Sequence, residues 1–198
     1  MIYRSARGYE LLMHALYGRH YEARMTAVAA QVPPGAIVLE LCCGPGTLYL
    51  RHLRRHVGGY IGLDINERFV AQLRSQGVDA RHCDLALDRE LPHADVVIMQ
   101  ASLYHFLPDA SPILERMIAA ARDRVIIAEP VRNLASSGLP GVAQLGRKAA
   151  DPGTGDHAQR FTEESLDRLM AGYGNRILEA FKIPGGREKV FVLRARDR

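Results

Sequence analysis

Three carboxylates stand where apolar runs of the chain give out. Glu40 lies at the end of "AIVLEL", Asp64 closes "GYIGLD", and Asp84 follows "DARHC". Behind Glu40 comes Cys42-Cys43-Gly44-Pro45-Gly46-Thr47, a glycine turn that brings backbone close to a ligand and aims the N–H groups of a following helix at it. An acid four residues before Gly44 repels a pyrophosphate and attracts, directly or through water, an ammonium group. Asp64 is placed to accept both hydroxyls of a ribose. Asp84 is placed to accept from the exocyclic amine of an adenine. Two competing ligands fail on the same residues. Tyr49 occupies the third glycine position of a dinucleotide G-x-G-x-x-G turn, and the chain has no G-x-x-x-x-G-K-[ST] run for a triphosphate.

What remains is a ligand with a cationic end, a ribose and a purine but no phosphate, a description that fits S-adenosylmethionine. The segments "ELCCGPG", "GLDIN" and "HCDL" together resemble the motifs of the class I S-adenosylmethionine-dependent methyltransferases, over a stretch from about Ala36 to Glu129. The resemblance implies cofactor contacts from Glu40, Cys42, Gly44, Gly46, Thr47, Asp64, Ile65, Asp84 and Leu85. It adds Gln100, Ala101 and Ser102 after the fourth strand. Cys42 holds the place of the family's first glycine, and room for its Cβ implies a φ below zero. With no activating base nearby in sequence, both thiols suit packing better than nucleophilic chemistry.

A sulfonium methyl is already electrophilic, so transfer depends chiefly on holding an acceptor in line with it. In "MQASLYHFLPD" the resemblance puts Tyr104 and His105 on the acceptor side. His105 is the candidate general base for a hydroxyl acceptor, although its apolar context "LYHF" equally suits a packed residue. Tyr17 and Tyr21 are candidate acceptor contacts from the N-terminal segment, beside Tyr9 and His20. Arg132 would suit a carboxylate or phosphate on the acceptor. Asn133, His157 and Arg160 are further polar candidates.

The elements that must position these residues are legible from periodicity. Tyr9, Leu12, Met13 and Leu16 recur at helical spacing, and after Gly18 so do Tyr21, Met25, Val28 and Val32, predicting two N-terminal helices. Continuous apolar runs then alternate with helical stretches, as in a parallel sheet covered on both faces. Asn66 predicts a helix cap, Ser111-Pro112 a helix start, and Thr162 with Glu163 and Glu164 another. "RILEAFKIPGGREKVFVLRAR" predicts two antiparallel strands joined at Pro184-Gly185-Gly186. The expected fold is α/β, a Rossmann-like three-layer sandwich. Its seven-stranded sheet is mostly parallel with an antiparallel C-terminal strand, preceded by N-terminal lid helices. One methyltransferase domain over 1–198 is expected, with lid helices at 1–34 and a substrate-side insertion at 131–161.

The 198 residues are 47% hydrophobic and 24% charged, which suits one globular unit. No apolar run approaches a membrane span and the first residues carry charges, so a cytoplasmic protein is expected. Three cysteines without C-x-x-C spacing predict neither a disulfide framework nor a metal site. The net charge of +4 comes from scattered arginines, which permits anionic partners without demanding nucleic acid. The expected partner is a small-molecule acceptor, and the chain a monomer or homodimer. Methylation of nucleic acid or protein, and a non-catalytic binding module on the same fold, are the alternatives.

Overall fold

The computed structural model describes residues 14, 18–88, 90–132 and 159–195. The expected first N-terminal helix, Tyr17 and most of the 131–161 segment, including Asn133 and His157, fall outside them. Seven strands form one sheet in the order β3-β2-β1-β4-β5-β7-β6. They are β1 (Ile37–Leu41), β2 (Gly59–Asp64), β3 (Ala80–His82), β4 (Ala94–Gln100), β5 (Ala121–Pro130), β6 (Ile177–Lys182) and β7 (Glu188–Arg194). The first five run parallel, while β7 pairs antiparallel with both β5 and β6. Parallel register puts the ends of β1 to β5 on one edge, and the strand order reverses between β1 and β4. In open α/β sheets ligands bind outside the carboxyl ends of the strands at that reversal.

Alternation along the strands builds two cores. Leu39, Val97, Met99, Val125 and Ile127 face one side, where they meet Ile113, Leu114 and Met117 of α3 (Ser111–Ala120) and Leu166 and Met170 of α4 (Glu163–Ala171). Val38, Val96, Ile98, Ile126 and Val190 face the other. There they meet Met25 and Val28 of α1 (Tyr21–Ala29) and Val70 and Leu73 of α2 (Glu67–Ser75). The sandwich therefore has three layers, as the continuous apolar strands predict.

Local signals mostly hold. The Asn66 side chain accepts from Arg68 N–H at the start of α2, and Thr162 forms a capping box with Ser165 on α4. Ser111 differs. It lies inside α3 as the first helical residue, Ala110 is the N-cap, and Asp109 Oδ1 accepts the Ser111 N–H. The helix ends at Ala120, and residues 121–123 open β5 directly. The helix after the glycine turn also departs from expectation, because Tyr49–Leu53 is a π-helical turn in which Arg54 N–H donates to Tyr49 O. Such turns occur frequently at functional sites.

Candidate active site

The glycine turn is pinned from the second strand. Cys43 N–H donates to Leu63 O (3.0 Å), and Gly44 N–H donates to Asp64 Oδ2 (2.7 Å). The other Asp64 oxygen accepts Asn66 N–H (2.8 Å). These bonds make the chain reverse directly after Leu41, which puts Cys42 at φ +54°. The expectation of a negative φ is therefore corrected. Residues beyond glycine keep such a conformation only where their surroundings over-determine it, and here the two bonds from Cys43 and Gly44 to β2 do so, with Asp64 itself held by Asn66. The two glycines divide the remaining work. Gly46, at φ +73°, has no room for a Cβ, which would stand 2.5 Å from Leu73, whereas beside Gly44 the space is open.

Glu40 is buried on the α1/α2 face and accepts from Tyr60 O–H (2.7 Å), while the Tyr49 ring stacks on Tyr60 at 3.9 Å. Burial pushes its carboxyl up to about 7 against the Tyr60 hydrogen bond, with Asp64 adding to the rise. Burial also raises Asp64, opposed by its two backbone donors. Asp84 is half-buried and opens a turn in which Ala86 N–H donates to its Oδ1 (2.9 Å). That loop is clasped from α3, since Arg116 donates to Leu85 O (2.7 Å) and to Asp88 O. Ile65 is 40% exposed beside Asp64, an apolar surface free to meet a flat ring. The Leu85 side chain packs in the core beneath the Asp84 loop.

Three carboxylates on adjacent strand ends, around open backbone at Gly44, suit a ligand with an ammonium, a ribose and an adenine. This set of acceptors thus fits S-adenosylmethionine. Glu40 would meet the ammonium, Asp64 the ribose and Asp84 the adenine. Asp64 has spare lone pairs for that role after serving two N–H groups.

At the end of β4 a second strained residue faces the first across the reversal. Ala101, at φ +53°, donates its N–H to Ala128 O (2.7 Å). Ser102 is buried, with its hydroxyl against the Cys42 thiol, and burial and Asp64 hold that thiol far above the usual range. Such a setting favours the protonated, weakly nucleophilic thiol. Gln100 turns towards α1, where its side-chain amide donates to Glu188 Oε1 (3.2 Å). Glu188 is itself held by Arg24 of α1 through Nε (2.7 Å) and Nη2 (3.2 Å), both side chains being buried.

Beyond Ser102 the 3-10 turn Leu103–Phe106 presents Tyr104 and His105, whose rings lie 4.0 Å apart. The Arg160 guanidinium sits 3.7 Å over the Tyr104 ring. Under this group Glu129, at the end of β5, accepts Leu103 N–H on Oε2 (2.9 Å). Tyr21, expected to touch the acceptor, is 1% exposed and packed in the α1 core with Met25 and Val28. Burial on the α1 face accounts for its helical spacing. Arg132 is exposed and lies against the Gly186 turn between β6 and β7.

Sequence reasoning missed Tyr60, Arg116, Arg24, Glu188 and Glu129. A signal for Glu129 was present, because "RVIIAE" ends in an acid as the first two strands do. A cavity of about 440 Å³ lined by His93, Glu115 and Arg122 lies at the opposite edge, where β4 and β5 begin. Among the described residues no helix is long and apolar enough to cross a membrane. No group of three or more His, Cys, Asp or Glu among them could hold a metal ion.

Known proteins bear on the family and the fold. Residues 13–180 match the family described as a methyltransferase domain. A trans-aconitate 2-methyltransferase of Mycolicibacterium gilvum is 34% identical over 106 residues, 53% of this chain and 40% of that protein. This chain thus spans less than half the length of that relative. Two solved structures share the fold. A methyltransferase of Thermotoga maritima has a TM-score of 0.66 at 18% identity, covering 98% of both chains. The magnesium protoporphyrin IX methyltransferase of Synechocystis, solved with bound S-adenosylhomocysteine, has a TM-score of 0.62 at 18% identity, covering 97% of this chain and 96% of its own. By its family match, its sheet order and the acids that end its first three strands, the chain belongs to the methyltransferase-domain family, in the class I, S-adenosylmethionine-dependent group.

Proposed function

We propose that the protein transfers the methyl group of S-adenosylmethionine to a carboxylate oxygen of a small organic acid. The observation that carries the acceptor class is the Arg160 guanidinium laid on the buried Tyr104 ring at the end of β4, across the strand reversal from the glycine turn. A planar guanidinium on an aromatic face offers paired donors to a carboxylate. The trans-aconitate 2-methyltransferase relative supports the same class, since its named substrate is a polycarboxylate.

When bound, the cofactor supplies an electrophilic methyl on a sulfonium. The chain's own residues hold and orient. Glu40 offers a carboxylate to the ammonium, Asp64 braces Gly44 and accepts from the ribose, and Arg116 sets the loop that carries Asp84. Arg160 and Tyr104 fix the acceptor carboxylate, whose oxygen gains the methyl. No proton has to leave a carboxylate, so His105 supports the Tyr104 ring and does not act as a base.

Calorimetric titration with S-adenosylmethionine, S-adenosylhomocysteine and NAD tests the cofactor, with binding of the first two and silence from NAD expected. Turnover of trans-aconitate and simpler di- and tricarboxylates, followed by methyl-ester formation, tests the acceptor. Methylation of neutral alcohols or of RNA in preference to carboxylates would overturn the acceptor class.

A further inference from the structure

The buried acid at the end of β5 has no role in the mechanism so far. Glu129 is 1% exposed, and among the described residues its Oε1 accepts no hydrogen bond while Oε2 holds the Leu103 N–H. Alternation along β5 places it with Val125 and Ile127, on the face that carries Leu103, Tyr104 and Phe161. It is within electrostatic reach of Cys42 on the glycine turn and of Arg160 on the Tyr104 ring. Glu129 therefore lies between the cofactor half of the site and the acceptor half.

We propose that Glu129 is an acceptor-binding residue, a neutral carboxyl that donates the proton on Oε1 to the acceptor's carboxylate beside Arg160. This rests on the carboxylate-acceptor reading above. A buried carboxylate oxygen with no donor is costly, and a proton removes that cost while turning the oxygen into a donor. Burial pushes the group up to about 8, against the Leu103 N–H; Glu188 across the sheet raises it further, while Arg160 and Arg24 oppose the rise. Tyr104 and His105 complete the surroundings on the acceptor side, and the Cys42 thiol faces it from the turn. A carboxyl-to-carboxylate hydrogen bond is charge-assisted and short. It also discriminates, because an ionised Glu129 repels the same ligand.

The pH dependence of acceptor affinity tests this. With S-adenosylhomocysteine saturating, trans-aconitate and a panel of simpler carboxylates are titrated by calorimetry at a pH of about 6.5 and of about 9. The wild type is expected to lose about tenfold in carboxylate affinity between the two, as the neutral form becomes a minority. Glu129→Gln should bind more weakly at the lower pH and show no such loss, and Glu129→Leu should be weaker still and equally flat. S-adenosylhomocysteine affinity, measured alongside, should match the wild type in both and reports that the fold is intact. Carboxylate binding whose pH loss persists in Glu129→Gln would overturn the role of Glu129 and leave the acceptor class standing. Failure of the wild type to bind any carboxylate at either pH would overturn both.

Discussion

Glu40→Gln separates what Glu40 does for the fold from what it does for the ligand. The carboxyl is 4% exposed, and burial pushes it from 4.5 to about 7. The native state therefore keeps a proton between about pH 4.5 and 7 that the unfolded chain releases, and stability falls as pH rises through that window. At about 1.4 kcal/mol per tenfold, holding the charge inside costs about 3 kcal/mol above pH 7. A glutamine carbonyl can still accept from Tyr60 O–H, so the exchange removes the titration and keeps the hydrogen bond. In urea unfolding without ligand, the stability of Glu40→Gln relative to wild type should rise by about 3 kcal/mol between pH of about 4.5 and about 8. Ligand affinity should move the other way. Wild-type affinity for S-adenosylmethionine should climb with pH up to about 7, whereas Glu40→Gln should bind about tenfold or more weakly at about pH 8, with a flat profile. The loss corresponds to the 1.5 to 3 kcal/mol of a hydrogen bond to a charged group. Stability profiles that run parallel in the two proteins would refute the buried titration, and unchanged cofactor affinity would refute the ammonium contact.

Asp64→Ala should weaken S-adenosylmethionine by about 2 to 4 kcal/mol in calorimetry and lower unfolding stability by about 1 to 3 kcal/mol, because Gly44 and Asn66 lose their acceptor. Arg24→Met leaves Glu188 buried without its cation and should cost about 3 to 5 kcal/mol of stability, with much of it recovered in Arg24→Met with Glu188→Leu. A cost below about 1 kcal/mol for the single change would contradict that pairing. Cys42→Gly relieves a left-handed residue at a cost in chain entropy, so its stability should fall within about 1 kcal/mol of wild type with cofactor binding kept. Cys42→Val, β-branched at the same φ, should be clearly destabilised.

The fold was legible because its signals are local. Apolar runs, Asn66, Thr162 and the Pro184-Gly185-Gly186 turn each act within a few residues, and the strands and most helix starts fell where they pointed. The candidate cofactor site was legible for a related reason. Glu40, Asp64 and Asp84 each sit at or just past the end of a strand, and parallel strands necessarily bring such ends to one edge.

By itself, then, the sequence determined the α/β class, the glycine turn and the edge at which three acids meet, since period, turn chemistry and parallel order follow from near neighbours. Tertiary structure alone decided the rest. Cys42 takes φ +54° because β2, some twenty residues away, supplies the bonds that pin the turn. Tyr21 has the spacing of either a core or a ligand residue, and only the packed sheet makes it core. Arg24 meets Glu188 across 164 residues, and Arg160 reaches Tyr104 from beyond β5. Such contacts depend on how whole layers stack, which no short-range pattern encodes.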